Sequence, residues 1–492
     1  MSRPRVVISQ EAVAFRAEIE YALTQLLEFA GFASQAVDSC AGHPLDQDVV
    51  ILYGESYKRG TPRPILQIRP SGFFGAKYLG KESIPTGPIP RYQDIPILFT
   101  TGNEAPYVTS DGQTIVTNMD LVASAFFVIT QYEEYVVEAR DPHARFPASA
   151  SLASREGCLR VPIVNQYADL LRGWLSEAEC DCPIRVLPGD RSFLLNVTHD
   201  VDRIALFSRV HRLVRAASHS VRRRDLRGVM RMLREYRDVR LRGAKDPFSR
   251  FDELLALERS LDATSTFFFM GGGRSRKYDG RYSMTEIREL VAEVEAASCE
   301  VALHGSYSSV ADAEQLGVEK GEIEGIAAAP VMGNRHHYLR WKLPGSLGAI
   351  EQAGFRYDST VGFSEDVGFR SGVCYPYRPF DLMSRRAMEW YELPLGIMEH
   401  ALLAKMRMSG EEGVRVVEGM IDAVSKFGGV LTLLWHSHVF YPYPFREAKS
   451  MFCDILGYAK RKRGGLCSSR EVLDQWDDAG GGPEPSCGAP WA

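Results

Sequence analysis

The chain has 492 residues, 45% of them apolar and 25% charged, with a formal net charge of -5. That length exceeds one ordinary domain, so two units are expected, three at most. The charge balance argues against a surface built globally for nucleic acid, and no window approaches the roughly 20 apolar residues of a spanning helix.

The segment Met1–Gln10 is short and basic. It lacks the apolar core and small-residue cleavage site of a signal peptide, so a cytoplasmic location is expected. The nine cysteines are scattered, and only Cys180 and Cys182 lie close together. That spacing suits neither a zinc ribbon nor a thioredoxin-type motif, so reduced structural thiols are expected.

In chain order, residues 1–190 form a first unit. Residues 10–30 carry helical periodicity through Ala12, Phe15, Ile19, Leu23 and Leu26. Residues 49–53, 65–68 and 97–100 are short apolar runs that predict buried strands. Residues 121–135 predict one strong helix, with Glu133 and Glu134 as its solvated end. Residues 141–147 read as a loop, and 161–174 as a further helix. Nothing in this unit clusters metal-ligand residue types.

A second unit spans 191–475. A strand at 193–197 runs into Thr198-His199-Asp200-Val201-Asp202. An arginine-rich helical insert, 203–250, follows. Alternation then becomes regular: helices at 251–261, 285–297 and 413–426, strands at 263–270, 300–303, 356–357, 390–393 and 429–435. Strands alternating with helices predict a mostly parallel α/β sheet with covered faces, open or closed into a barrel. The tail, 476–492, is rich in Gly and Pro and expected to be disordered.

The chemistry gathers at strand ends. Asp200 and Asp202 are two apart, so on an extended backbone both side chains share a face. Two such acids repel unless a cation or proton lies between them. A second strand delivers His304, a third junction holds Arg335, His336 and His337, and a fourth holds His436 and His438. Carboxylates and imidazoles at the C-terminal ends of parallel strands form the ligand set of a hydrolytic zinc or similar site.

These residues carry a resemblance. Thr-His-Asp-Val-Asp resembles the first motif of the polysaccharide deacetylases, carbohydrate esterase family four. Ala263-Thr264-Ser265-Thr266-Phe267-Phe268-Phe269 resembles that family's second strand, and residues 298–306 its segment bearing the metal histidine. Arg335 fits its third-motif arginine, and Leu434 with His436 its closing Leu-x-His. The order and spacing agree over about 190–470. The first unit resembles an uncharacterised domain found ahead of such deacetylases, from which no function follows.

The resemblance implies a distorted (β/α) barrel and a divalent metal, commonly zinc. It implies Asp200 as general base, Asp202 and His304 as metal ligands, His436 as general acid, and Arg335 orienting Asp200. One position departs from the pattern: Ser308 stands where the family has a second histidine. His337 is two residues beyond Arg335, so on an extended chain both face the site, and His337 is the expected third ligand. His336 is then expected to point away. A ligand such as His438 or Glu399, or a lost metal site, are the alternatives. Asp358 is expected either to hold His436 or Arg335 or to be a turn residue.

The expected activity is removal of an acyl group, N-acetyl first, from an amino sugar in a glycan or a lipid- or nucleotide-linked precursor. Deformylation of a lipid-linked amino sugar is the enzymatic rival, and a carbohydrate-binding pseudoenzyme the non-catalytic one. The arginine-rich segment is open to two readings. It is a solvated helix face, or it attracts an anionic nucleotide, lipid phosphate or inner membrane leaflet.

Overall fold

The computed structural model describes residues 5–32, 50–55, 66–102, 104–112, 114–178, 187–207, 218, 226–272, 275, 277–280, 282–441 and 445–478. Cys180, Cys182, the arginines at 209, 212, 215 and 222–224, and the tail from 479 lie outside them. Among the described residues no helix is long and apolar enough to cross a membrane.

The first unit is a five-stranded sheet with helices. Its strands are β1 (Arg5–Ile8), β2 (Val50–Tyr53), β3 (Leu66–Ile68), β4 (Val108–Ser110) and β5 (Ile115–Thr117), in the order β1-β2-β3-β5-β4. All pairs are parallel except the β4–β5 hairpin. The apolar run at 97–100 is not a strand of this sheet: Ile97 and Leu98 are buried, but only Thr100 pairs, with Met119. The predicted helix 121–135 is broken into Leu121–Ile129 and a single turn, Glu133–Val136. Gln131 adopts a left-handed backbone between them, and its amide donates to Ile129 O and Tyr377 Oη at 2.9 Å each.

That break corrects the reading of Glu133 and Glu134 as solvated. Glu134 is buried and takes two bonds from Arg370, from Nε at 2.8 Å and Nη2 at 2.7 Å. Glu133 accepts from Leu152 N at 2.9 Å, and burial pushes its carboxyl up to about 7.

The second unit is a parallel sheet rolled into a distorted barrel. Its strands are β6 (Phe193–Val201), β7 (Thr266–Phe269), β8 (Glu300–Gly305), β9 (Gly333–His336), β10 (Tyr357–Asp358), β11 (Tyr391–Glu392), β12 (Leu395–Met398), β13 (Val430–Leu434) and β14 (Gly464–Cys467). They run β11-β10-β9-β8-β7-β6-β13-β12, with β14 beside the first half of β6. The two ends of this path, β11 and β12, are neighbours in sequence, separated only by Leu393 and Pro394. The sheet must therefore curl until its edges meet, and Leu395 N donates to Val361 O at 2.9 Å across the seam. β6 is buried at every position. A central strand covered on both faces is buried along its length, and the polar residues of its second half, Thr198, His199 and Asp200, are each hydrogen-bonded.

Helices between strands start where the sequence says they should. Ser283-x-x-Glu286, Ser409-x-x-Glu412 and Ser468-x-x-Glu471 each close a capping box, satisfying orphan N–H groups of the first turn. The last of these helices, Ser469–Trp476, ends inside what composition assigns to the tail, and Trp476 is buried against Tyr375 with ring centroids 4.9 Å apart. The two units share one apolar core, in which Tyr21, Phe29 and Phe126 of the first contact Tyr375 and Phe380 of the second.

Candidate metal centre

Strand register assembles the site. His304 on β8 is the lateral partner of Arg335 on β9, so both side chains stand on the inner face of the barrel. The next pair, Gly305 and His336, faces outward. Gly305 matters there, because a Cβ at that position would lie 2.8 Å from His336 Nδ1. His336 is fully buried, and burial pushes its imidazole down to about 3. It is a neutral core histidine turned away from the site, as the alternation of an extended chain requires.

The backbone at His336 is still extended, which carries His337 back to Arg335's side before the chain turns at Tyr338, whose φ is 64°. Asp202, His304 and His337 then converge, each offering one ligand atom within 4.8 Å of the others. Asp202 Oδ1 lies 3.3 Å from His304 Nε2 and 3.6 Å from His337 Nε2. Ligand atoms around a tetrahedral ion with bonds of about 2.0–2.2 Å are about 3.3–3.6 Å apart. Two of these atoms, Asp202 Oδ1 and His304 Nε2, are buried without a hydrogen-bond partner. Orphaned polar atoms aimed at one point mark a place for a cation. The donor set therefore fits a divalent metal such as zinc, and among the described residues this is the only such group.

Each imidazole is oriented from behind. His304 Nδ1 donates to Arg335 O at 2.7 Å, and His337 Nδ1 to Asp279 Oδ1 at 3.1 Å. Both bonds leave the Nε2 lone pair for the site. Asp279 is buried and also accepts from Tyr307 N at 2.7 Å and Ser275 N at 2.9 Å. It went unread in the sequence because it lies in a loop. Its signal is its place: the segment follows β7, on the strand-end side where the other site residues gather.

Asp200 and His436 flank the group. Asp200 Oδ1 accepts from Arg335 Nη1 at 2.9 Å, and its Oδ2 lies 3.6 Å from His304 Nε2. Burial raises the Asp200 carboxyl, but the charges of His304, Arg335 and His436 outweigh it and hold it below its ordinary value. Arg335 is itself fully buried. Ser359 O and Oγ accept from its Nε and Nη2 at 2.9 Å each, and Thr198 Oγ1 accepts from Nη1 at 2.9 Å.

His436 Nε2 lies 3.6 Å from Asp202 Oδ2. Its Nδ1 donates to Glu399 Oε1 at 2.7 Å, and burial is overcome by the Glu399 charge, lifting the imidazole to about 10. A charged imidazole held this way keeps an N–H directed at the site. Glu399 thus serves as the partner of His436 rather than as a metal ligand.

Of the two readings open for Asp358, the structure shows the turn residue. It hydrogen-bonds neither His436 nor Arg335, accepting instead from Asn334 Nδ2 at 2.6 Å and Thr360 N at 2.8 Å. Burial pushes it up to about 6. It braces the turn after β10, and Ser359 does the holding of Arg335. His438 stands beside His436, ring centroids 5.5 Å apart, with burial and the His436 charge pushing it down to about 3. Ser308 is exposed, and among the described residues its hydroxyl pairs with Ser306 Oγ at 3.3 Å.

The first unit reaches the rim of this site. In its loop 141–147, Arg145 Nη1 donates to Tyr338 O at 2.6 Å, and His143 O accepts from Arg340 Nε at 3.2 Å. His143 packs on Tyr338, 4.6 Å between centroids, and Tyr338 packs on His337 at 4.5 Å.

Comparisons with known proteins give one family match and a set of similar solved structures. Residues 7–179 match the model of a family of unknown function, DUF7033. No curated protein matches the chain. Among solved structures, a Mycobacterium smegmatis protein ascribed to the polysaccharide deacetylases is similar at 14% identity and a TM-score of 0.40, covering 63% of this chain and 99% of that one. A family 4 carbohydrate esterase from Streptomyces lividans is similar at 12% identity and 0.30, over 56% and 92%. A carbohydrate esterase family four pseudoenzyme from Bacillus anthracis is similar at 11% and 0.30, over 57% and 66%.

Proposed function

We propose that this chain is a divalent-metal-dependent amide hydrolase that removes an acyl group, N-acetyl first, from an amino sugar. One observation carries the reading. Asp202, His304 and His337 converge, with Asp202 Oδ1 and His304 Nε2 buried and unpartnered, between an arginine-held carboxylate on one side and a carboxylate-held imidazole on the other. Those three residues would hold the ion, which when bound supplies a Lewis acid for the acyl oxygen and an acidified water.

The chain's own groups supply the rest. Arg335 fixes Asp200 as an ionised carboxylate, ready to take a proton from water attacking the acyl carbon. His436, kept charged by Glu399, donates its Nε2 proton to the departing nitrogen. An amine is a poor leaving group without that proton, so the pair suits C–N cleavage. The amino-sugar substrate rests on the motif resemblance, and the ring contacts of Tyr338 and His143 leave the rim partly aromatic.

The test is Asp200→Asn, assayed on N-acetyl and N-formyl amino sugars together with metal content. The reading expects hydrolysis to fall by at least about 100-fold while metal stays bound. A fully active variant, or a parent protein that turns over neither substrate when metal-loaded, contradicts it and favours a carbohydrate-binding pseudoenzyme.

A further inference from the structure

The helix Leu226–Arg242 carries two sets of apolar side chains, and the fold uses only one. On the inner face Met232 is buried, with Tyr236 and Val239 packed beside it against Leu206, Phe207 and Phe248. Phe207 also accepts from Arg240 Nη2 through its carbonyl at 2.8 Å. The outer face carries Leu226, Met230, Leu233 and Leu241, exposed by 72%, 54%, 48% and 77%. Seven large apolar side chains are exposed among the described residues, and this one helix holds four of them. At 3.6 residues per turn they fall within a stripe about 80° wide.

The stripe is set in positive charge. The helix carries arginines at 227, 231, 234, 237, 240 and 242 against only Glu235 and Asp238. Asp238 is engaged by Arg237 and Arg242, and Glu235 by Arg250 at 3.5 Å and Tyr441 Oη at 2.6 Å. At about 100° per residue Arg227 and Arg234 lie along one side of the stripe, Arg240 along the other and Arg237 within it, and among the described residues Arg227, Arg231 and Arg234 form no ion pair.

We propose that the helix Leu226–Arg242 docks on an anionic lipid bilayer, with Leu226, Met230, Leu233 and Leu241 in the headgroup–acyl boundary and the neighbouring arginines on lipid phosphates. Apolar stripe and arginine flank together select this occupant. A basic amphipathic helix gains from both burial of apolar area and attraction to anionic lipid. Nucleic acid would take the arginines but give little return for four exposed apolar side chains. A second copy of so cationic a face would be repelled.

The docked helix lies beside the site. It packs on Phe248, whose ring is 5.4 Å from that of His438, and His438 is 5.5 Å from His436. The bilayer would therefore adjoin the edge of the site that holds the proposed acid, and the substrate would be an amino sugar carried on a lipid. That substrate class rests on the hydrolase reading; the docking does not.

The experiment is co-sedimentation of the full metal-loaded chain with phosphatidylcholine vesicles, with and without phosphatidylglycerol. Binding to the anionic vesicles and not to the neutral ones is expected at low salt, weakening at high salt. The variant Leu226→Gln/Met230→Gln/Leu233→Gln should bind about tenfold more weakly, and Arg227→Gln/Arg231→Gln/Arg234→Gln likewise. All six side chains point out of the fold, and an unchanged circular dichroism spectrum and metal content certify each variant. Asp200→Asn should bind vesicles like the parent, so failed hydrolysis and failed docking are read separately. Parent-like vesicle binding by both variants overturns the proposal. So does a parent that ignores anionic vesicles, that dimerises through the stripe instead, or that prefers an oligonucleotide to lipid.

Discussion

Asp279→Asn isolates the support behind the proposed metal ligand His337. The carboxylate is buried, and its Oδ1 accepts from His337 Nδ1 at 3.1 Å. Burial favours protonation of Asp279, but the bond from His337 and those from backbone N–H groups hold it below its ordinary value, so it meets the imidazole as an anion. Removing a carboxylate that orients a ligating histidine typically weakens metal binding 10–100-fold. Asparagine keeps the shape and an acceptor oxygen but not the charge, so the lower end is expected, about tenfold or about 1.4 kcal/mol. Titration calorimetry of the metal-free chain with zinc measures it directly, with circular dichroism to show that the loop held through Tyr307 N and Ser275 N is intact. Equal dissociation constants for parent and variant would refute the claim that Asp279 orients His337 for metal.

Two further predictions concern the join between the units. Arg370→Met leaves the buried Glu134 carboxylate without its two donors, which should cost about 3–5 kcal/mol in denaturant unfolding; the double variant with Glu134→Gln should recover most of it, and a loss well under 1 kcal/mol would show that the pair is not buried as described. Glu133 keeps its proton in the folded chain up to about 7, against an ordinary value of 4.5, so the folded state binds more protons in that window and stability should fall as pH rises through it, by up to about 3 kcal/mol. Glu133→Gln should remove that fall, as unfolding midpoints at about pH 4.5 and about pH 7.5 would reveal; a parent-like pH slope in the variant assigns it elsewhere.

The alternation of apolar runs with capped amphipathic segments was enough to expect a parallel α/β sheet, because each strand ends in a polar junction and three helices open with Ser-x-x-Glu. The same logic placed Asp200, Asp202, His304, Arg335, His337 and His436 at strand ends. What it missed depends on long-range partners. Glu399, just after β12, reads from sequence only as an alternative metal ligand, because its partner His436 lies 37 residues away on another strand end. Glu134 resembles a solvated helix end until Arg370, 236 residues away, is brought to it. Asp279 has no pattern around it, and its role exists only once β7 delivers its loop beside His337. Asp358 stays open between two readings for a related reason: adjacent residues at the end of a short strand look equivalent until register decides that Ser359, and not Asp358, meets Arg335.

The central claim is that Asp202, His304 and His337 hold one divalent ion, with His337 in place of the histidine that Ser308 lacks. Metal content of the purified chain by elemental mass spectrometry, compared across His337→Ala and His336→Leu, tests it most directly. The account predicts one equivalent in the parent and in His336→Leu, and almost none in His337→Ala, with all three folded. Full metal occupancy in folded His337→Ala, or a metal-free parent that takes up no zinc on titration, would contradict it.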